Sequence, residues 1–301
     1  MGKKRELVDP LVASNNLRGR LFIVGTPIGN LEDITLRAIR TLKEADVIAC
    51  EDTRRTQKLL NHYDVRTPTV SYHDHNEMTR APELIIKIEQ GLDIALVTDA
   101  GMPVASDPGY RLVHLAIRHN VPIIPVPGAS AFVAALAASG LPVDKFRFLG
   151  FLPRKRAARR KALEEIKRST KTLVFYEAPH RVIEMLEDVR TELGDRPVVV
   201  AREVTKIHEE FLRGPVSEVL GKLGTKQVKG EITVLVGGPV AEEKRPAPVR
   251  SIKKELERLM AERRLNARGA LKVVARSRGI SRSEAYRRLQ IEKSASRATE
   301  N

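Results

Sequence analysis

The chain has 301 residues, 42% hydrophobic and 30% charged, with a formal net charge of +15 and one cysteine. That length buries a sizeable core and accommodates two domains or one large one. The lone Cys50 excludes an intramolecular disulfide and a cysteine-based zinc site and suits a reducing cytoplasm, while no apolar run approaches the roughly 20 residues of a bilayer span.

Residues 1–19 are basic, lack the apolar stretch of a signal peptide and read as a flexible extension. An α/β domain is expected over 20–142. Its first strand, LFIV at 21–24, precedes Gly25-Thr26-Pro27-Ile28-Gly29-Asn30. A helix is expected with Asn30 as N-cap and Leu36, Ile39, Leu42 and Ala45 on its apolar face. DVIAC at 46–50 follows, then Glu51-Asp52 and a helix through Leu60; TVSYH, IALVT and PIIPV continue the series with helices between. Strands alternating with helices predict βαβ units and a mainly parallel sheet, whose ligand sits off the carboxyl ends of the strands. Those ends carry Gly25–Asn30, Glu51-Asp52, Asp99–Gly109 and Pro127–Ser130. The loop TDAGMPVASDPG is longer and richer in backbone-constraining residues than a simple connection needs.

The pattern restarts at FRFLGFLP and runs through TLVFYEAPHR, PVVVARE and GEITVLVGG, predicting a second α/β domain over 143–240. PVAEEKRPAPVR reads as a linker by composition. A small basic helix-turn-helix-like module is expected over 250–290, turning at Gly279, with Ser281 and Glu284 as a capping box.

The charge is uneven. Nine basic residues face two acidic ones between Arg154 and Lys171, and 17 face eight between Ala241 and Asn301, so the remainder is close to neutral. This distribution predicts a polyanionic partner, against the alternative of a surface charged for solubility alone. An anionic membrane is disfavoured because neither segment has a bulky aromatic stripe. The low aromatic content, 4% with no tryptophan, argues against a broad platform for stacking a single strand.

The Gly25–Gly29 turn matches neither the G-x-G-x-x-G dinucleotide fingerprint nor the P-loop, and Pro27 removes an N–H where a phosphate nest would use one. Glu51-Asp52 as a ribose anchor remains the best argument for a nicotinamide-linked oxidoreductase. His73-Asp74-His75 supplies too few ligands for a metal site, so no metal is expected.

In order along the chain stand GTPIGNLEDITLRA, EDTR, SYHDHNE, TDAGMPVASDPG, PGASA, FLGFLPRK, YEAPHR, AREVTK and GEITVLV. Together they resemble the 16S rRNA cytidine 2′-O-methyltransferases of the tetrapyrrole methylase superfamily. The resemblance implies a two-domain α/β fold, here with a small C-terminal helical module, that binds S-adenosylmethionine in the cleft, usually as a homodimer. It also implies 16S rRNA within the 30S subunit as partner and the cytidine of the decoding centre as target. By the same resemblance Pro27, Asp99, Ala100, Gly101, Val104, Ser130, Ala131, Tyr176 and Gly230 would contact the donor. Asp52 and Glu177 are the candidate proton acceptors, each weighed against a salt-bridged structural role. Arg54, Arg154, Lys155, Arg156, Arg159, Arg160, His180 and Arg181 are the candidate RNA contacts. A C-methylase of tetrapyrroles and a non-catalytic RNA-binding factor are the remaining alternatives.

Overall fold

A computed structural model describes residues 19–104, 107–224, 228–239, 251–263 and 265–298. The described residues up to Pro239 form one compact unit and those from 251 onward a second.

The first half carries β1 (Leu21–Val24), α1 (Leu36–Glu44), β2 (Val47–Cys50), α2 (Thr53–His62), β3 (Thr69–Ser71), α3 (Glu77–Glu89), β4 (Ile94–Leu96), α4 (Tyr110–Arg118), β5 (Ile123–Val126) and α5 (Ala131–Ser139). Its sheet is wholly parallel, in the order β3-β2-β4-β1-β5. Alternate residues of each strand feed opposite faces. Leu21, Ile23, Ala49 and Leu96 pack with Leu84 and Ile88 of α3 and Leu112 of α4, while Val24, Ile48, Cys50 and Ala95 pack with Leu42 of α1 and Leu60 of α2. Helices after β1 and β2 thus cover one face and those after β3 and β4 the other. The connections leaving the adjacent strands β1 and β4 diverge, which opens a crevice at the carboxyl ends of those strands.

The second half carries β6 (Phe146–Phe151), α6 (Arg156–Glu165), β7 (Thr172–Glu177), α7 (Val182–Leu193), β8 (Pro197–Arg202), β9 (Glu210–Pro215), α8 (Val216–Leu223) and β10 (Ile232–Val236). Its sheet is mixed, in the order β6-β7-β10-β8-β9, with β6 and β7 parallel and the other pairs antiparallel. One face packs on α6, α7 and α8 through Leu163, Met185, Leu186 and Val219. The opposite face, with Val174, Val199 and Leu235, receives Ala135 and Leu136 of α5. Helix α5 is apolar nearly all round, but only its Ala135 and Leu136 face is buried on the second sheet, and Val133 is 51% exposed.

Three details of the sequence reading change. Asn30 caps only a short 3₁₀ turn, accepting from the Glu32 N–H, and α1 starts at Leu36, where the Thr35 hydroxyl accepts from the Ala38 N–H. The buried face of α1 is Ala38, Thr41 and Leu42, leaving Leu36 87% exposed. Strand β9, which has no alternating apolar pattern, was not legible.

The second unit comprises α9 (Ile252–Arg263), α10 (Ala267–Ser277) and α11 (Arg282–Ala298) around Ile252, Leu256, Leu259, Ala270, Val274 and Leu289. The Ser281 hydroxyl accepts from the Glu284 N–H, as the capping pattern predicts, and Gly279 turns the chain at φ +62. The N-terminal extension and the 240–250 linker lie outside the described residues.

Candidate active site

The loops leaving β1, β4 and β5 are locked together by backbone contacts. Thr26 and Gly101 form an isolated antiparallel bridge, each N–H donating to the other's carbonyl at 2.9 and 3.2 Å. Gly25 meets Gly128 so closely that a Cβ on Gly25 would lie 2.6 Å from the Gly128 Cα. Gly101 sits at φ +84, and a Cβ there would reach the Ile28 methyl at 3.3 Å and the Ala129 carbonyl at 3.4 Å. Glycine is required at these positions for approach and for backbone conformation, the two things no other residue supplies together.

These loops and the ends of β7 and β10 enclose a cavity of about 940 Å³. That is the upper end of the ~300–1,000 Å³ of small-molecule sites, with room for a second reactant beside a folded metabolite. The first half contributes Ile28, Ala100, Gly101, Met102, Asp107, Ser130 and Ala131, and the second contributes Phe151, Tyr176, Glu177, Val204, Gly230 and Glu231, among others. No lysine, arginine or histidine is among the described lining residues. Helix α5 opens into the cavity at Ser130, which makes no side-chain cap. Its N-terminus therefore favours an anionic group, while the carboxylates elsewhere on the wall favour a cationic one. A zwitterionic metabolite that also carries a positive centre fits this donor set, whereas a pyrophosphate lacks the cations it would need.

Of the candidate donor contacts, Ala100, Gly101, Ser130, Ala131, Tyr176 and Gly230 line the cavity. The Tyr176 ring packs against Phe148 and Phe151 with centroids 5.1 and 5.7 Å apart, and burial raises the pKa of its hydroxyl. Pro27, Asp99 and Val104 are not on the wall. Their neighbours Ile28 and Ala100 line it instead. Asp99 turns toward β2, accepting from the Asp52 N–H at 3.2 Å and pairing with Arg55 at 3.0 Å. Val104 is held at φ +77, an unusual backbone region for a β-branched residue, and its Cγ2 would meet a Cβ on Gly109 at 2.9 Å.

Both candidate proton acceptors are engaged by neighbours through at least one oxygen. Asp52 caps α2, accepting from the Arg54 N–H at 2.9 Å and pairing with the Arg54 guanidinium at 2.9 Å. The Arg54 bonds hold its carboxyl at about 2, and it is not on the cavity wall. Glu177 belongs to the wall, but its side chain is 0% exposed. Its Oε1 accepts from the Ala178 N–H at 2.8 Å and pairs with Arg181 at 3.4 Å, which braces the turn after β7, while its Oε2 is buried without a hydrogen-bond partner.

The basic candidates divide. Arg154, Lys155 and His180 are exposed. Arg156 and Arg160 are ion-paired to Asp188 and Glu192 yet remain 64% and 46% exposed. Arg159 overturns its expectation: it is 0% exposed, donates to the equally buried Asp188 at 2.7 Å and pairs with Glu184 at 3.3 Å. It joins α6 to α7 and is unavailable to a phosphate. Arg181 is also committed, donating to the Leu152 and Pro153 carbonyls beside its Glu177 pair.

Asp107 was not singled out in the sequence. It lines the cavity beside Glu51, Asp74 and Asp99, and burial, reinforced by those three carboxylates, pushes its pKa to about 7. Burial likewise raises the Glu51 carboxyl, with Asp99 and Asp74 adding to the effect. His73 and His75 pack ring to ring at 5.9 Å, and no group of three potential ligands that could hold a metal occurs among the described residues. Cys50 is a buried core residue, and no described helix is long and apolar enough to cross a membrane.

Residues 20–220 match the profile of the Tetrapyrrole (Corrin/Porphyrin) Methylases. Proteins named ribosomal RNA small subunit methyltransferase I are similar over most of their length. The one from Halalkalibacterium halodurans is 50% identical over 89% of this chain and 94% of its own. The one from Escherichia coli O157:H7 is 42% identical over 91% and 96%. Among solved structures, uroporphyrin-III C-methyltransferase from Thermus thermophilus, complexed with S-adenosyl homocysteine, aligns with a TM-score of 0.52 at 22% identity, over 73% of this chain and 97% of that one. A diphthine synthase aligns with a TM-score of 0.55 at 16% identity, over 73% and 90%. At those identities the solved structures establish the fold, and the closer relatives establish kinship: the chain belongs to the tetrapyrrole methylase family, within the group of ribosomal RNA small subunit methyltransferase I proteins.

Proposed function

We propose that this protein is an S-adenosylmethionine-dependent methyltransferase that methylates the ribose 2′-hydroxyl of a cytidine in 16S rRNA of the small ribosomal subunit. The observation that carries the reading is the cavity at the β1/β4 crevice, acidic and cation-free on its wall, with an uncapped helix N-terminus opening into it. The relatives' name supports the rRNA substrate and the family resemblance supports the cytidine, the 30S context, a homodimer and a cytoplasmic setting.

When bound, the donor supplies an electrophilic methyl group and its own driving force, so much of the protein's contribution is alignment. Gly101 lets backbone approach the donor, Gly25 and Gly128 hold the β1 and β5 loops together beside it, the α5 N-terminus receives its carboxylate, and Tyr176, packed on Phe148 and Phe151, holds the opposite wall. The cations exposed on and before α6 (Arg154, Lys155, Arg156 and Arg160) grip RNA phosphates. That contact sets position and salt dependence, and the choice of nucleotide is left to the pocket.

The direct test is to incubate the full chain with labelled S-adenosylmethionine and 30S subunits lacking the modification, then map the product. One 2′-O-methylated cytidine in 16S rRNA is expected. Transfer to a corrin precursor but not to 30S subunits would make it a tetrapyrrole C-methylase, and no calorimetric binding of the donor would leave only an RNA-binding role.

A further inference from the structure

The carboxylates near the cavity are nearly all committed. Asp52 caps a helix, Asp99 pairs with Arg55, Glu177 with Arg181, and Glu203 and Glu231 with Lys206. Asp107 alone among those on the wall makes no hydrogen bond or ion pair with the described residues. It stands in the loop after β4, part-buried, and its charge is felt by Tyr176 at the end of β7, in the other half of the cleft. An accessible, unpartnered acceptor between the two halves of a reaction cavity is placed for proton transfer, since a group already holding a helix cap or a guanidinium would have to release its partner first.

We infer that Asp107 is the proton acceptor for the ribose hydroxyl. This rests on the function proposed above. As the hydroxyl oxygen attacks, its lone pair forms the O–C bond to the methyl carbon, and the C–S bond breaks with its electron pair returning to sulfur. The O–H proton passes to the Asp107 carboxylate and from there to solvent. Charge balances: a cationic donor and an ionised carboxylate become a neutral thioether and a carboxylic acid.

The groups facing Asp107 fit that role. Glu51 at the end of β2, Asp74 after β3 and Asp99 after β4 are its acidic neighbours, Tyr176 lies across the cavity, and Arg55 of α2 offsets the charge of Asp99. Burial and the three carboxylates hold Asp107 at about 7, where an acceptor is half-ionised near neutral pH and basic enough to take a proton. Glu51, raised for the same reasons, is not on the wall.

The test is single-turnover methyl transfer to unmodified 30S subunits at saturating S-adenosylmethionine, from pH 5.5 to 8.5, with wild type, Asp107→Asn and Asp107→Glu. The wild-type rate should rise about tenfold per pH unit below 7 and level off above it. Asp107→Asn should be about 10²- to 10³-fold slower at pH 8 and flat across the range, with donor binding by calorimetry still measurable. Asp107→Glu should recover part of the rate together with a pH-dependent profile, and it decides the matter if the asparagine variant does not fold. An asparagine variant within threefold of wild type, or one that keeps the wild-type profile, would overturn the assignment while leaving the methyltransferase reading intact. A wild type that transfers nothing to 30S subunits would overturn both.

Discussion

The rim of the first sheet and the helix flanking the second carry opposite charge by opposite means. On the rim, Glu51, Asp74, Asp99 and Asp107 converge from three loops with Arg55 as the cation that pairs within the group, and burial together with mutual repulsion works against full ionisation of Asp107 and Glu51. On and before α6 the cations stand outward, and the one that turns inward, Arg159, is met at once by Asp188 and Glu184. Uncompensated charge on the wall of a cavity selects a ligand, whereas compensated charge in a core only joins elements. The same contrast separates the two reactants, a cationic donor and a polyanionic acceptor.

The comparison is most sharply broken at Arg159. Arg159→Ala leaves Asp188 buried without its main partner and should cost about 3–5 kcal/mol of stability, read by denaturant unfolding. A loss under 1 kcal/mol would return Arg159 to the RNA-contacting set. Gly101→Val comes next. The left-handed backbone and the 3.3 Å approach of Ile28 exclude a branched side chain without movement of the loop. Donor affinity should fall at least a hundredfold by calorimetry with the circular dichroism spectrum unchanged, and unaltered affinity would remove this loop from the donor site.

Neutralising Arg154, Lys155, Arg156 and Arg160 together should weaken RNA binding roughly 10- to 100-fold at moderate salt and reduce the slope of log K against log salt by about 3, with donor affinity preserved. An unchanged slope would make these charges merely solubilising. The smallest effect is on the acidic side. Asp107 ionises near 3.8 in an ordinary chain and near 7 in the fold, so its ionised form costs stability above pH 7, and that cost fades as pH falls from 7 toward 4. Asp107→Asn should therefore raise the melting temperature at pH 8 by about 2–6 °C, for a discounted cost of about 1–2 kcal/mol, and by less at pH 5. An equal shift at both pH values would mean the carboxylate is not held near 7.

Legibility in the sequence followed the range of the forces involved. The first sheet was readable because parallel strands buried on both faces are continuous apolar runs, as in LFIV and VIAC. The start of α1 was misplaced because Asn30 and Thr35 are both competent caps and only the intervening 3₁₀ turn decides between them. Leu36 reads as core by spacing, but the one turn of chain before the helix rotates it outward. Arg159 reads as one more cation in a basic run because its partner Asp188 is 29 residues away on another helix. Asp107 was in view within a quoted motif, yet what sets it apart is the meeting of three loops, which no local pattern records. Six of the donor candidates do lie on the cavity wall, five of them small residues next to strand ends of the kind that permit close backbone approach. Val104 and Asp99, in the same motif, turn away from the wall.

The bridge between Thr26 and Gly101 offers a direct clock on this machinery. Its two amide protons are sealed by reciprocal bonds across the crevice, so both exchange with deuterated water only when the β1 and β4 loops separate. Their common exchange rate reports how often the floor of the cavity opens, and a metabolite seated on that floor slows both amides by the same factor.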